Sequence, residues 1–109
     1  MPRKVNAIVV LVTCASSAES RRIASSLVKK RLAACGNVCG SAISSIYRWK
    51  GKVEKAREVL LILKTTREAF AKLEREIRRL HSYKVPEIIA LPVVAGSRAY
   101  LNWVNESVE

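Results

Sequence analysis

The sequence predicts an α+β fold, a ferredoxin-like βαββαβ sandwich with one added C-terminal helix. Three observations predict it: a β-branched N-terminal run, two S/T-x-x-E boxes ahead of helical patterns, and an apolar pair of segments joined by Lys50-Gly51-Lys52. Val5 to Cys14 reads VNAIVVLVTC, the composition of a central strand buried on both faces. Ser16 and Glu19 form the first box and open a helix to about Leu32. On it Ile23, Leu27 and Ala34 make one stripe, flanked by Ala24, Val28 and Leu32. Arg21, Arg22, Lys29, Lys30 and Arg31 take the other side. Gly36 and Gly40, with Asn37 between them, break the helix.

Ala42 to Lys50 carries Ile43, Ile46, Tyr47 and Trp49 and predicts a strand. Val59 to Lys64 (VLLILK) predicts its return across an antiparallel hairpin. Thr65 with Glu68 is the second box, and Phe70, Leu73, Ile77 and Leu80 form one face of the helix behind it. Pro86 stops that helix after His81. Glu87 to Val94 is the fourth strand, where Pro92 marks an edge or a strand end. Gly96-Ser97 leads into a short last helix with Leu101 and Val104 on one side. The 109 residues fit one domain without an internal linker.

The net charge of +11 is uneven. Residues 1–57 hold twelve Lys/Arg against two Glu, and residues 58–109 hold eight against seven. Such a field attracts polyanions. It also suits solubility and a heat-adapted surface, since the chain has no Asp, no Gln and four Asn beside many Lys, Arg and Glu. The three cysteines, Cys14, Cys35 and Cys39, are an odd number and argue against a disulfide framework. Cys35 and Cys39 remain free to pair in a hyperthermophile. The charged start before Val5 imitates a signal peptide, but the apolar run is too short to span a membrane. These features predict a cytoplasmic protein with no membrane partner.

Much chemistry is excluded by residue type. With one His and no Asp, a Ser-His-Asp triad is impossible. Neither GxxxxGK[ST] nor GxGxxG occurs. The strands that would read single-stranded RNA in this topology, VNAIVVLVTC and VLLILK, contain no aromatic, so specific nucleic-acid recognition is not expected. Cys35 and Cys39 stand C-x3-C without a second pair, which is not a structural zinc pattern. A soft-metal site built from His81, Glu87 and Cys14 needs the fold or a subunit contact to gather them; otherwise each has an ordinary structural role. Tyr47 and Trp49 alternate on one strand and share a side near the hairpin tip, a position that suits an interface.

SIYRWKGKVE (Ser45 to Glu54), ILKTT (Ile62 to Thr66) and HSYKVPEIIALPV (His81 to Val93) resemble the signature segments of the CutA family, divalent-cation tolerance proteins. RLAAC (Arg31 to Cys35) and YLNWV (Tyr100 to Val104) extend the resemblance over nearly the whole chain. It implies a PII-like homotrimer, a role in tolerance to divalent metals with copper binding proposed, and no catalysis. It also implies metal ligands at His81 and Glu87. The family's cysteine aligns with Val12, and Cys14 lies two residues on, on the same side of the strand. Tyr47, Trp49, Lys64, Tyr83, Glu87 and Trp103 are the expected residues of clefts between subunits. Lys50, Lys52, Lys55 and Arg57 make this hairpin basic, which favours an alternative: a regulatory module taking an anionic small ligand, with Lys64, or a protein partner.

Overall fold

The computed structural model describes residues 5–109; the charged start at Arg3 and Lys4 lies outside them. The elements are β1 (Ala7–Cys14), α1 (Ser17–Lys29), β2 (Cys35–Val38), β3 (Ile43–Trp49), β4 (Lys52–Thr66), α2 (Phe70–Leu80), β5 (Ile88–Pro92) and α3 (Arg98–Ser107). The sheet is antiparallel in the order β2-β4-β1-β5, with β3 also on β4. Taking β2 and β3 as one interrupted strand gives the ferredoxin-like order that the sequence predicts.

The interruption is the first departure. Val38 pairs with Leu61, but Ile43 pairs with Glu58, so residues 39–42 bulge out of the ladder. The expected helix-breaking loop at Gly36 is therefore a strand. A Cβ on Gly36 would lie 2.9 Å from Ala24 Cβ and 3.1 Å from Leu63 Cδ2, so the residue is a point of close helix–sheet approach. Accordingly α1 ends earlier than predicted. Leu32 N–H bonds Leu27 O at 2.9 Å and Arg31 N–H bonds Val28 O at 3.1 Å, with Arg31 at φ 60. This is a Schellman stop that accepts a non-glycine residue in the left-handed position.

The second departure is at Thr65. It does not cap a helix: it is fully buried at the end of β4, and its hydroxyl donates to Leu32 O at 2.6 Å. β4 thereby reaches fifteen residues, and α2 starts at Phe70 with no side-chain cap. The first box forms as predicted at Ser16, whose Oγ accepts the Glu19 N–H at 3.1 Å.

Strand alternation divides the apolar residues between two faces. Val10, Val12, Leu61 and Leu63 are fully buried against Ile23 and Leu27 of α1 and Leu73 and Ile77 of α2. Glu76 locks the two helices together, accepting from Arg79, Lys30 and Ser26 at 2.7–2.9 Å. These donors, led by Arg79, hold its carboxyl far below the usual carboxylate range.

The other face is also apolar. Leu11 pairs with Ile62 on one side and Ile89 on the other, and Val9 pairs with Leu91. α3 covers only one end of it, through Val104 and Leu101 against Ala7 and Ala34. Ile89 and Leu91 remain 48% and 46% exposed. So β1 is not buried on both faces within one chain, contrary to its composition.

The β3–β4 hairpin runs past the end of β1, because β1 uses only residues 59–66 of β4. Its tip has Lys50 at φ 50 and Gly51 at φ 80, a two-residue turn of the I′ kind. This arm explains a radius of gyration of 14.7 Å, against about 13 Å for a compact chain of this length.

Gly36→Ala is expected to lower stability by about 1–3 kcal/mol, since neither Ala24 nor Leu63 has room to retreat. A urea midpoint measured beside wild type checks this; an unchanged midpoint would refute the close-approach account.

Candidate functional site

Chemistry-bearing side chains gather where β1 ends, α1 begins and α2 stops. Cys14 is the last residue of β1, and Glu19 lies in the first turn of α1. His81 follows α2, where its N–H bonds Ile77 O at 2.8 Å. Their ligating atoms lie within 4.8 Å of one another, and all three residues are buried.

Glu19 and His81 are already committed to backbone partners. Glu19 accepts the Ala15 N–H at 3.0 Å and the Ser82 N–H at 2.8 Å, one on each oxygen. Burial pushes its carboxyl up, but the bonds from Ser82 and Ala15 outweigh that and hold it below the usual range. The Tyr83 N–H donates to His81 Nδ1 at 3.0 Å, which leaves Nε2 to donate to Thr13 O at 2.8 Å. Burial, aided by the charges of Glu19 and Glu58 against a weaker pull from Ser20, pushes the Cys14 thiol up to about 11. It is a thiol, not a thiolate, at neutral pH. The acceptor lone pair of His81 is taken by the Tyr83 N–H and Cys14 keeps its proton, so only the second lone pairs of the Glu19 oxygens and a neutral thiol are open to a cation. The cluster as folded does not fit a bound metal; it bolts three chain segments together.

Glu87 is not part of this cluster. The expected set of His81, Glu87 and Cys14 separates, because Glu87 stands five residues beyond Ser82 at the mouth of a neighbouring cleft. That cleft has a volume of about 380 Å³ and is lined by Thr13, Tyr47, Trp49, Glu58, Tyr83 and Glu87, with Ser45, Ile46 and Val85 at its edge. Tyr83 links the two features. Its ring lies 4.7 Å from that of His81, and its hydroxyl is pushed well up, by burial first and then by its hydrogen bond to Glu58. A wider depression of about 920 Å³ along α2 is lined by Lys72, Arg75, Arg78, Arg79 and Lys84 and is that helix's solvated face.

Tyr47, Trp49, Tyr83 and Glu87 line one cleft within a single chain. Lys64 and Trp103 do not reach them within one chain. Lys64 is six residues beyond Glu58 on β4, roughly 20 Å away along the strand, and bonds Asn37 Oδ1. Trp103 sits on α3, its ring 5.5 Å from that of Tyr100. The basic hairpin also resolves into two sides. Tyr47 pairs with Glu54 and Ile43 with Glu58, so the cleft side is acidic and aromatic. Arg48, Lys55 and Arg57 alternate to the opposite side, while Lys52, paired with Trp49, stays on the cleft side at the hairpin tip, so only part of the expected basic rim faces this way. Glu58 was the residue least visible in sequence; its phase with Leu60 and Ile62 is the signal that places it on the sheet face the α1–α2 layer does not cover.

The CutA1 divalent ion tolerance family matches residues 8–107. The chain belongs to that family. The divalent-cation tolerance protein CutA of Thermus thermophilus is 50% identical over 99 residues, covering 91% of this chain and 95% of its own. Its solved structure superposes with a TM-score of 0.92 at 48% identity over 94% of this chain and 99% of that one. A structure described as the periplasmic divalent cation tolerance protein CutA from Archaeoglobus fulgidus gives 0.90 at 40% identity, over 94% and 99% of the two chains. The mouse protein CutA is longer: at 43% identity all of this chain spans 60% of its length. No helix among the described residues is long and apolar enough to cross a membrane.

Glu19→Gln orphans one backbone N–H and is expected to cost about 1–3 kcal/mol near pH 7. Because the folded state holds Glu19 below its ordinary pKa, the native advantage is full above that value and fades as pH falls through the folded one. Urea unfolding of both proteins from pH 7 to pH 3 should show the gap narrowing; a constant gap would contradict the bonding scheme.

Proposed function

We propose that the chain is a homotrimeric divalent-cation tolerance protein that recognises a ligand in the cleft of Tyr47, Trp49, Glu58, Tyr83 and Glu87 and catalyses no reaction. One observation carries the assembly: an apolar sheet face, from Leu60 and Ile62 through Leu11 to Ile89 and Leu91, that α3 leaves largely uncovered. An uncovered face of this kind marks an interaction surface. The arm, a two-stranded hairpin that is marginal by itself, exposes further apolar side chains on its other side, with Ile46 69% and Val53 60% exposed.

The geometry favours a ring. β5 and the β3 arm lie on opposite edges of the sheet, so joining one to the other is a head-to-tail contact that must close. The resemblance to PII-like trimers sets the ring at three. The lack of catalysis is supported by the one histidine being committed to backbone partners. Copper or another divalent cation belongs to this reading through the family's role. Occupancy at Cys14 and His81 requires the thiol to lose its proton and the His81 bond from Tyr83 N–H to open. Three free thiols support a reducing, cytoplasmic setting.

Light scattering of the native chain at micromolar concentration is expected to give three times the monomer mass. The pair Ile89→Glu and Leu91→Glu should reduce it to one. A monomeric wild type, or a double variant that stays trimeric, would contradict the proposed interface.

A further inference from the structure

The cleft contains a charge that the described chain does not balance. Glu58 is only 7% exposed, yet no Lys, Arg or His among the described residues makes an ion pair with it or with Glu87. The ion pairs that do form go to Glu74, Glu76 and Glu109. Tyr83, a neutral side chain, lines the same cleft. A buried carboxylate without a counter-charge is costly, and none of the Lys and Arg among the described residues pairs with it. Arg57, the nearest in sequence, alternates to the far side of the arm.

The surroundings indicate what completes the site. Tyr47 and Trp49 are 44% and 46% exposed, and with Tyr83 they wall a space of small-ligand size. Aromatic faces and carboxylates together attract a cationic nitrogen. They suit a metal ion less well. Glu58 and Glu87 are two carboxylates with no third strong donor, whereas hard divalent ions take six or more oxygens or keep most of their water. Among the described residues, the one group of three His, Cys or Glu side chains close enough to share an ion is the committed cluster next door.

We propose that this cleft binds a positively charged nitrogen group, a primary ammonium or a guanidinium, between Tyr47, Trp49 and Tyr83 with its charge against Glu58 and Glu87. Two sources share this chemistry: a free small amine, or a Lys or Arg side chain of a second copy. The second source alone rests on the trimeric reading above.

The test titrates the full chain with n-propylammonium and methylguanidinium, and separately with magnesium and copper(II), by calorimetry, and follows assembly by light scattering on dilution. Wild type is compared with Glu58→Gln, which keeps the side chain's size and removes its charge, and with Glu87→Gln should Glu58→Gln fail to fold. A free ligand predicts saturable amine binding to wild type, weakened roughly tenfold or more in Glu58→Gln at unchanged mass. A second copy's side chain predicts no uptake of added amine, and dissociation of Glu58→Gln at roughly tenfold higher concentration than wild type. The proposal is overturned if the substitution alters neither amine binding nor assembly. It is equally overturned if magnesium or copper binding depends on Glu58 while no amine binds. A wild type that is monomeric throughout sinks the trimer alone, because the amine titration still decides the cleft.

Discussion

The pairing of β1 with β4 along eight residues governs the molecule. Both strands are apolar on both faces, so their alternation produces two surfaces that avoid water. α1 and α2 satisfy one of them. α3 satisfies only an end of the other. The remaining apolar surface, with the arm that prolongs β4, has no partner among the described residues, and the proposed ring of subunits is the response to that constraint.

The same pairing positions the site. β1 ends at Cys14 just where β4 leaves the sheet to become the arm, so Thr13, Glu58 and Tyr47 meet at one corner. The buried bolt of Glu19, His81 and Ser82 fixes the loop after α2 against that corner, and through it the Tyr83 ring. Read this way, His81 and Glu19 shape the cleft from behind. The acceptor nitrogen of His81 and one lone pair on each Glu19 oxygen are used in holding backbone, so proximity alone does not make them metal ligands.

Most of the fold was legible because its signals are local. The first capping box, the turn at Lys50-Gly51 and the helical face of Phe70, Leu73 and Ile77 all appear where the residues predict them. The misreadings share a cause: long-range contacts overrode local patterns. Gly36 reads as a helix breaker but answers to Ala24 and Leu63 across a helix–sheet contact. Thr65 reads as a cap but its hydroxyl is taken by Leu32 O, thirty-three residues away in sequence. At the site, the aromatics were legible from alternation on β3. Glu58 was hidden among the charged residues of an arm whose two sides differ, and His81 gave no sign that both its nitrogens face backbone.

The central claim is that other copies of the chain cover the open sheet face and the arm. Amide hydrogen exchange along Ile88–Leu91 and Ile43–Trp49, compared with Val10 and Val12 in the core, measures this directly. The account predicts slow exchange in these edge segments at micromolar concentration, speeding up on dilution while Val10 and Val12 stay protected. Fast, concentration-independent exchange along both edges, with the core still protected, would contradict it.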